Sequence, residues 1–352
     1  MSDTLTIQSH KGPYTVTFDD DALERLTPGG AHFIIDARVA ELYRDRMAAV
    51  LASPSVLIIE ATEANKSLEC MPAYVGHLVE RGLRREQTLV AIGGGIIQDI
   101  TCFLAATMLR GVAWTFLPTT LLAQCDSCIG SKSSINCGDA KNILGTFTPP
   151  GEVIISTRFL DTLDVRELQS GVGEMLKVHA IDGPASFAGF AAGYDALFRN
   201  RAAMVAAIRR SLEIKRGYIE RDEFDRGPRL VFNYGHSFGH AIEAATDFAV
   251  PHGIAVTMGL DMANWISAGL GHGTLAHWAA AHPLLAKNYR GFERRPVPLD
   301  RFLAALAKDK KNTGTGSVTL ILPDAEGRIF RGTHAADERF RELCRRYLEE
   351  IR

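Results

Sequence analysis

Thr88-Leu-Val-Ala-Ile-Gly-Gly-Gly-Ile-Ile-Gln-Asp99 is the stretch that decides the fold. A short β-rich apolar run ends at Gly93, a turn uses Gly93, Gly94 and Gly95, and a helix opens at Ile96. A buried strand that feeds straight into a helix is one step of a βαβ unit, so a parallel sheet is expected. Backbone amides at that helix start can hold phosphate oxygens, and glycine removes the side chain that would block them. The spaced G-x-G-x-x-G fingerprint is absent, which leaves a tight strand-to-helix turn as the other reading.

The same alternation continues on both sides. Residues 32–37, 55–60 and 114–118 are further strand-like runs, and 39–51 and 68–83 carry apolar residues at helical spacing. Asp36 closes the first of these strands, where a carboxylate can meet a ribose hydroxyl. Glu63 and Lys66 follow the next strand and fall on the same carboxyl edge; capping a helix is their alternative role. From about Ser156 the strand-like runs stop and long helical periods take over, as in Met204, Val205, Ile208, Leu212 and Ile219. Residues 318–322 are the one late strand candidate, and 338–351 form a closing amphipathic helix. Two domains follow: an α/β unit over 1–162 and a mainly α-helical unit over 163–352.

Composition narrows the function. The 39 basic and 41 acidic residues nearly cancel and are scattered, which argues against nucleic acid or an anionic membrane as partner. No apolar run reaches the roughly 20 residues needed to span a bilayer, and the N-terminus lacks a secretory pattern, so a cytoplasmic protein acting on a small molecule is expected. Six cysteines in 352 residues are too few for a disulfide scaffold. Cys125 and Cys128 form a C-x-x-C pair beside Cys137, without the fourth ligand of a structural zinc site.

Two further stretches carry chemistry. Residues 118–142 are dense in hydroxyls, amides and cations, the composition of an exposed loop, with Lys132 and Lys141 suited to phosphate and the amides and carboxylate to sugar hydroxyls. In Asn233-Tyr-Gly-His-Ser-Phe-Gly-His-Ala-Ile-Glu243, His236 and His240 lie four apart on one helix face, and His252 follows in Pro251-His-Gly253. Spacing alone offers His236 and His240 as a chelating pair. Glu174 supplies a carboxylate, with Lys177 three residues on and on the same face. Lys215 sits on the apolar side of its helix and needs an anion unless its stem snorkels to water, while Arg229 lies four residues before Asn233. The 308–311 run resembles a solvated charge cluster.

Taken in order, these blocks resemble the 3-dehydroquinate synthase family, the sugar phosphate cyclases, along nearly the whole chain. The resemblance rests on Glu63-Ala-Asn-Lys66-Ser-Leu-Glu, Gly93-Gly-Gly95 with Asp99, Leu109-Arg110-Gly111, Pro118-Thr119-Thr120-Leu-Leu, Asp126 through Lys132 and Asn136, Lys141-Asn142, Glu174 with Lys177, and the histidine block. It implies a Rossmann-like NAD domain with a parallel sheet, a helical domain carrying zinc or cobalt, and a homodimer. The metal ligands implied are Glu174, His236 and His252, which moves the third ligand away from His240. NAD would meet Asp36, Glu63, Lys66, Gly93, Gly94, Gly95, Asp99, Thr119, Thr120, Lys132 and Lys141.

The family reaction takes 3-deoxy-arabino-heptulosonate 7-phosphate to 3-dehydroquinate and phosphate through transient oxidation by NAD, phosphate elimination, re-reduction and intramolecular aldol closure. By motif match, Asp126, Lys177 and Asn142 hold ring hydroxyls; Lys132, Asn233, His240 and Arg110 gather around phosphate, Arg110 reaching from the partner subunit. Lys215 and Arg229 clamp the substrate carboxylate, and Lys141 and Lys311 complete the cationic lining. Quinate-forming members commonly read Gly-Gly-Lys and His-Gly-Glu where this chain has Gly130-Ser131-Lys132 and His252-Gly253-Ile254, and Leu where it has Phe232. The missing carboxylate after His252 removes an expected partner of a metal ligand. Residues 138–150 look like the version in cyclases of sedoheptulose 7-phosphate, which makes a valiolone-type synthase the alternative. A metal-dependent polyol dehydrogenase and a non-catalytic assembly relative are the more distant ones.

Overall fold

The computed structural model describes residues 4–138, 140–308 and 316–352. Two compact units account for the chain: Met1–Leu163 with Lys215–Phe224, and Asp164–Ile214 with Asp225–Arg352. The ten-residue segment Lys215–Phe224 therefore belongs with the first unit although it lies within the helical half of the sequence.

The first unit is built on a seven-stranded sheet in the order β1-β2-β9-β6-β5-β3-β4. Its strands are β1 (Thr4–Ile7), β2 (Tyr14–Phe18), β3 (Ala31–Asp36), β4 (Val56–Ile59), β5 (Thr88–Gly93), β6 (Ala113–Pro118) and β9 (Glu152–Ile155). β1 and β2 pair antiparallel, while β2–β9, β9–β6, β6–β5, β5–β3 and β3–β4 are parallel. Parallel strands covered on both faces read as continuous apolar runs, which is why β3 and β5 stand out in the sequence. Phe33, Ile35, Val90 and Ile92 pack on one face against Val39, Ala40, Tyr43 and Met47. The helix Gly95–Thr107 buries Ile97, Ile100, Cys102 and Leu104 and packs on β5 and β6.

Two sequence expectations change here. The helical stretch 39–51 is two short helices, Ala37–Leu42 and Ala48–Leu51. Residues 118–142 are not an exposed loop. They contain the turn Ala123–Ser127, with Gln124 and Cys125 buried, followed by an antiparallel hairpin of β7 (Lys132–Cys137) and β8 (Ala140–Phe147). Burial pushes the Cys128 thiol up to about 12, as expected of an inert core cysteine.

The second unit is mainly helical. Its longest buried element is the helix His252–Leu270, in which every residue from Gly253 to Ser267 is buried. This helix packs against Val165–Asp182, His236–Ala245 and Leu275–Asn288, and against a hairpin of β10 (Ser317–Pro323) and β11 (Ile329–Ala335). The late strand thus has a partner that the sequence reading lacked. The helix Val165–Asp182 starts with a capping box: Asp164 accepts from the Arg166 and Glu167 amides, and Glu167 accepts from the Asp164 amide. Among the described residues no helix is long and apolar enough to cross a membrane.

Candidate active site

Glycines bring the site-bearing helices of the second unit together. A Cβ on Gly173 would strike the Gly253 carbonyl, and one on Gly253 would strike the Ser170 carbonyl, so both positions require glycine for backbones to meet. Glu174, next to this contact, is buried among three cations or potential cations. Its Oε2 lies 2.6 Å from Lys177 Nζ, and its Oε1 lies 3.2 Å from His252 Nε2 and 3.7 Å from His236 Nε2. His236, His240 and His252 also place ring nitrogens within 4.8 Å of one another. Spacing correctly paired His236 with His240 as neighbours, but the carboxylate reaches His236 and His252.

The electrostatics suit a cation. Burial alone would raise the Glu174 carboxyl, yet Lys177, His236 and His252 outweigh it and hold the group well below the ordinary carboxylate range. Burial drives His236 well below its usual value against the pull of Glu174, which keeps a neutral ring with a lone pair. Burial also opposes charge on His252, but hydrogen bonds to Glu174 and Glu243 prevail and raise it to about 10. One anionic oxygen and converging imidazole nitrogens fit a divalent metal of the zinc or cobalt type. Nearby, Asn233 donates to the Leu230 carbonyl at 3.1 Å, and Arg229 is buried.

In the first unit the glycine turn has the geometry its sequence suggested. Gly93 ends β5, Gly94 precedes the helix and Gly95 is its first residue. A Cβ on Gly93 would stand 2.5 Å from Ile97 Cγ1, whereas one on Gly95 would meet nothing within 4 Å. The open position at Gly95 is where a phosphate group can approach the amides of the helix start. Thr119 donates its amide to the Gly93 carbonyl at 2.9 Å, and the Thr120 hydroxyl accepts from the Ala123 amide at 3.2 Å. Asp36 caps the helix Ala37–Leu42 through the Arg38 amide at 2.9 Å.

Lys66 is the centre of a second cluster. Its ammonium lies 2.9 Å from Asn142 Oδ1, 3.2 Å from Asp99 Oδ2 and 3.4 Å from Glu63 Oε1. Glu63 also accepts from Asn136 at 2.9 Å, so it ties into the β7–β8 hairpin rather than capping a helix. Burial raises the Asp99 carboxyl despite Lys66 beside it. Lys132 and Lys141 stand exposed on that hairpin. Lys215 finds the anion its position demanded: its Nζ lies 2.5 Å from Asp126 Oδ1 and 2.5 Å from the Asp126 carbonyl.

Residues 56–170 match the family model for the 3-dehydroquinate synthase N-terminal region, and 171–312 match that for its C-terminal region. Over 331 residues the chain is 36% identical to a 3-dehydroquinate synthase of Xanthomonas oryzae pv. oryzae, covering 88% of this chain and 89% of the relative. A 3-dehydroquinate synthase of Rhodopseudomonas palustris is 34% identical over 347 residues, 94% and 91% of the two chains. The chain belongs to the 3-dehydroquinate synthase family.

The family fold extends to solved structures. A 2-epi-5-epi-valiolone synthase from Streptomyces hygroscopicus subsp. jinggangensis, with NAD+ and Zn2+ bound, superposes with a TM-score of 0.83 at 26% identity, covering 96% of this chain and 97% of that one. A 2-deoxy-scyllo-inosose synthase complexed with carbaglucose-6-phosphate, NAD+ and Co2+ gives 0.84 at 21% identity over 97% and 99%, a likeness of fold. Against this family background, two residues stand out that sequence reasoning left without a role. Phe232 lies beneath the Lys177 ammonium, 5.4 Å from the ring centre, a cation–π contact that leucine could not make. Glu243 contacts His252, and its spacing of seven from His236 was the available signal. Arg110 is exposed with a left-handed φ of 65°, next to Leu109 at 52°. Lys311 lies outside the described residues.

Proposed function

We propose that this family member is a 3-dehydroquinate synthase. It converts 3-deoxy-arabino-heptulosonate 7-phosphate to 3-dehydroquinate and inorganic phosphate, a carbon–oxygen lyase reaction of a cytoplasmic homodimer. The observation that carries the reading is the convergence of Glu174 with His236 and His252 beneath Lys177, in a chain whose relatives at 34 and 36% identity are named for this activity.

Bound NAD supplies a hydride acceptor that is restored within each turnover, and a bound divalent metal supplies a Lewis acid for the reacting hydroxyl. Glu174, His236 and His252 would hold the metal. The Gly93–Gly95 turn takes the pyrophosphate, with Thr119, Thr120, Asp36, Glu63, Lys66 and Asp99 around the rest of the dinucleotide. Lys177, Asp126 and Asn142 orient ring hydroxyls, while Lys132, Asn233, His240 and Arg110 receive the phosphate that leaves. Lys215 and Arg229 bind the substrate carboxylate; Asp126 pairs with the buried Lys215 side chain and fixes its position. Lys141 adds positive charge to the lining.

A cyclase of sedoheptulose 7-phosphate is the second reading, supported by residues 138–150 and by the valiolone synthase at 26% identity. That substrate has no carboxylate for Lys215 and Arg229 to bind. Purified protein incubated with NAD+ and Zn2+ or Co2+ should release phosphate from 3-deoxy-arabino-heptulosonate 7-phosphate and form 3-dehydroquinate. Release from sedoheptulose 7-phosphate alone would overturn the choice of substrate.

A further inference from the structure

His252 is held from two sides. Its Nε2 faces Glu174 Oε1 at 3.2 Å, and its Nδ1 lies 3.3 Å from both Oε1 and Oε2 of Glu243. His236 is oriented the same way, with Nδ1 3.3 Å from the Tyr234 carbonyl and Nε2 toward Glu174. In each ring an acceptor on Nδ1 holds that nitrogen as the proton donor and leaves Nε2, turned to Glu174, as the nitrogen that would give its lone pair to a bound cation. The two acceptors differ in kind: His236 has a neutral backbone oxygen, His252 a carboxylate on both of whose oxygens the ring is centred.

Glu243 reaches this place from the last turn of the helix His236–Ala245. It follows His236 by seven residues and His240 by three, so the three side chains share one helical face. The carboxylate expected directly after His252 is absent, and Ile254 is instead fully buried in the helix His252–Leu270. The carboxylate beside His252 comes from the preceding helix.

We propose that Glu243 is the positioning residue of the metal centre. Its carboxylate accepts the Nδ1 proton of His252, locks the ring with Nε2 toward Glu174, and makes that nitrogen a stronger donor to a divalent cation. This inference rests on the metal reading given above. Loss of such an outer carboxylate typically weakens metal binding about 10- to 100-fold.

The test uses metal-free full-length protein without NAD or substrate. Zn2+ affinity is measured by competition with a chromophoric chelator, and the visible spectrum is recorded with Co2+. Glu243→Ala should bind Zn2+ about 10- to 100-fold more weakly and shift the Co2+ bands, with the thermal midpoint of the metal-free protein close to wild type. Glu243→Gln keeps an acceptor oxygen without the charge and should fall between; being nearly isosteric, it carries the test if the alanine variant fails to fold. Wild-type affinity and an unchanged Co2+ spectrum in both variants, with binding lost in His252→Ala, would overturn the role of Glu243 and leave the metal centre standing. Absence of Zn2+ binding by wild-type protein would overturn both.

Discussion

Lys215 donates to the backbone carbonyl of Asp126 and forms an ion pair with its carboxylate, each with an Nζ–O distance of 2.5 Å. The pair explains a cation on the apolar side of a helix, since a buried ammonium needs a paired anion. Removing one partner of a buried pair is costly because the other charge is left behind. Lys215→Met should therefore destabilise the protein by about 3 kcal/mol in urea denaturation. The double variant Lys215→Met, Asp126→Asn should lose less than the sum of the single losses. Additive losses would mean that the pair carries no coupling.

Gly93 and Gly95 sit two residues apart yet should respond differently. Gly95 opens onto free space with an ordinary backbone conformation, so Gly95→Ala should fold normally and lose NAD+ affinity by about tenfold or more, read by calorimetry. Gly93→Ala should lower the thermal midpoint, because its methyl would collide with Ile97. Undiminished NAD+ binding by Gly95→Ala would remove the turn from the cofactor site.

His282 ties pH to stability in the second unit. The Asp261 carboxylate, buried in the helix His252–Leu270, meets His282 Nδ1 at 2.8 Å and the Tyr289 and Tyr347 hydroxyls at 2.9 Å each. The hydrogen bond that His282 donates to Asp261 raises the His282 pKa above 6.5, against partial burial. A raised folded value means stability that is fully present below 6.5 and is lost as pH climbs through the folded pKa. The urea midpoint of His282→Gln should thus trail wild type by more at about pH 6 than at about pH 9. An equal gap at both would refute the linkage.

For the metal centre, His252→Ala and Glu174→Gln should each weaken Zn2+ binding beyond the roughly 100-fold that loss of an outer partner produces. His240→Ala should weaken it less, since Glu174 contacts His252 and His236. Metal analysis showing His240→Ala as the more severe change would favour the three-histidine arrangement that their 4.8 Å grouping permits.

How much of this was visible in the sequence depended on burial pattern. β3, β5 and β6 were visible as unbroken apolar runs because both faces of a parallel strand are covered. β1, β2, β9 and β11 were missed because short alternating or edge segments resemble loops. The polar composition of 118–142 hid a hairpin whose hydroxyls and amides bond inward, as when Ser134 donates its amide to Asp99 and Asn142 donates its amide to Asn136. Helical spacing found the His236–His240 pair but could not choose between His240 and His252, because Glu174 comes from another helix. Glu243 lies on the same helical face as His236 and His240, and its spacing of seven from His236 is the signal that marks it.

As a sugar phosphate cyclase this chain borrows a hydride and returns it while expelling phosphate. Following phosphate and nicotinamide absorbance together, in one incubation with Zn2+, catalytic NAD+ and excess 3-deoxy-arabino-heptulosonate 7-phosphate, tests it most directly. Many equivalents of phosphate per NAD+ with no net NADH are expected. NADH accumulating with substrate consumed, and no phosphate released, would contradict it and identify a dehydrogenase instead.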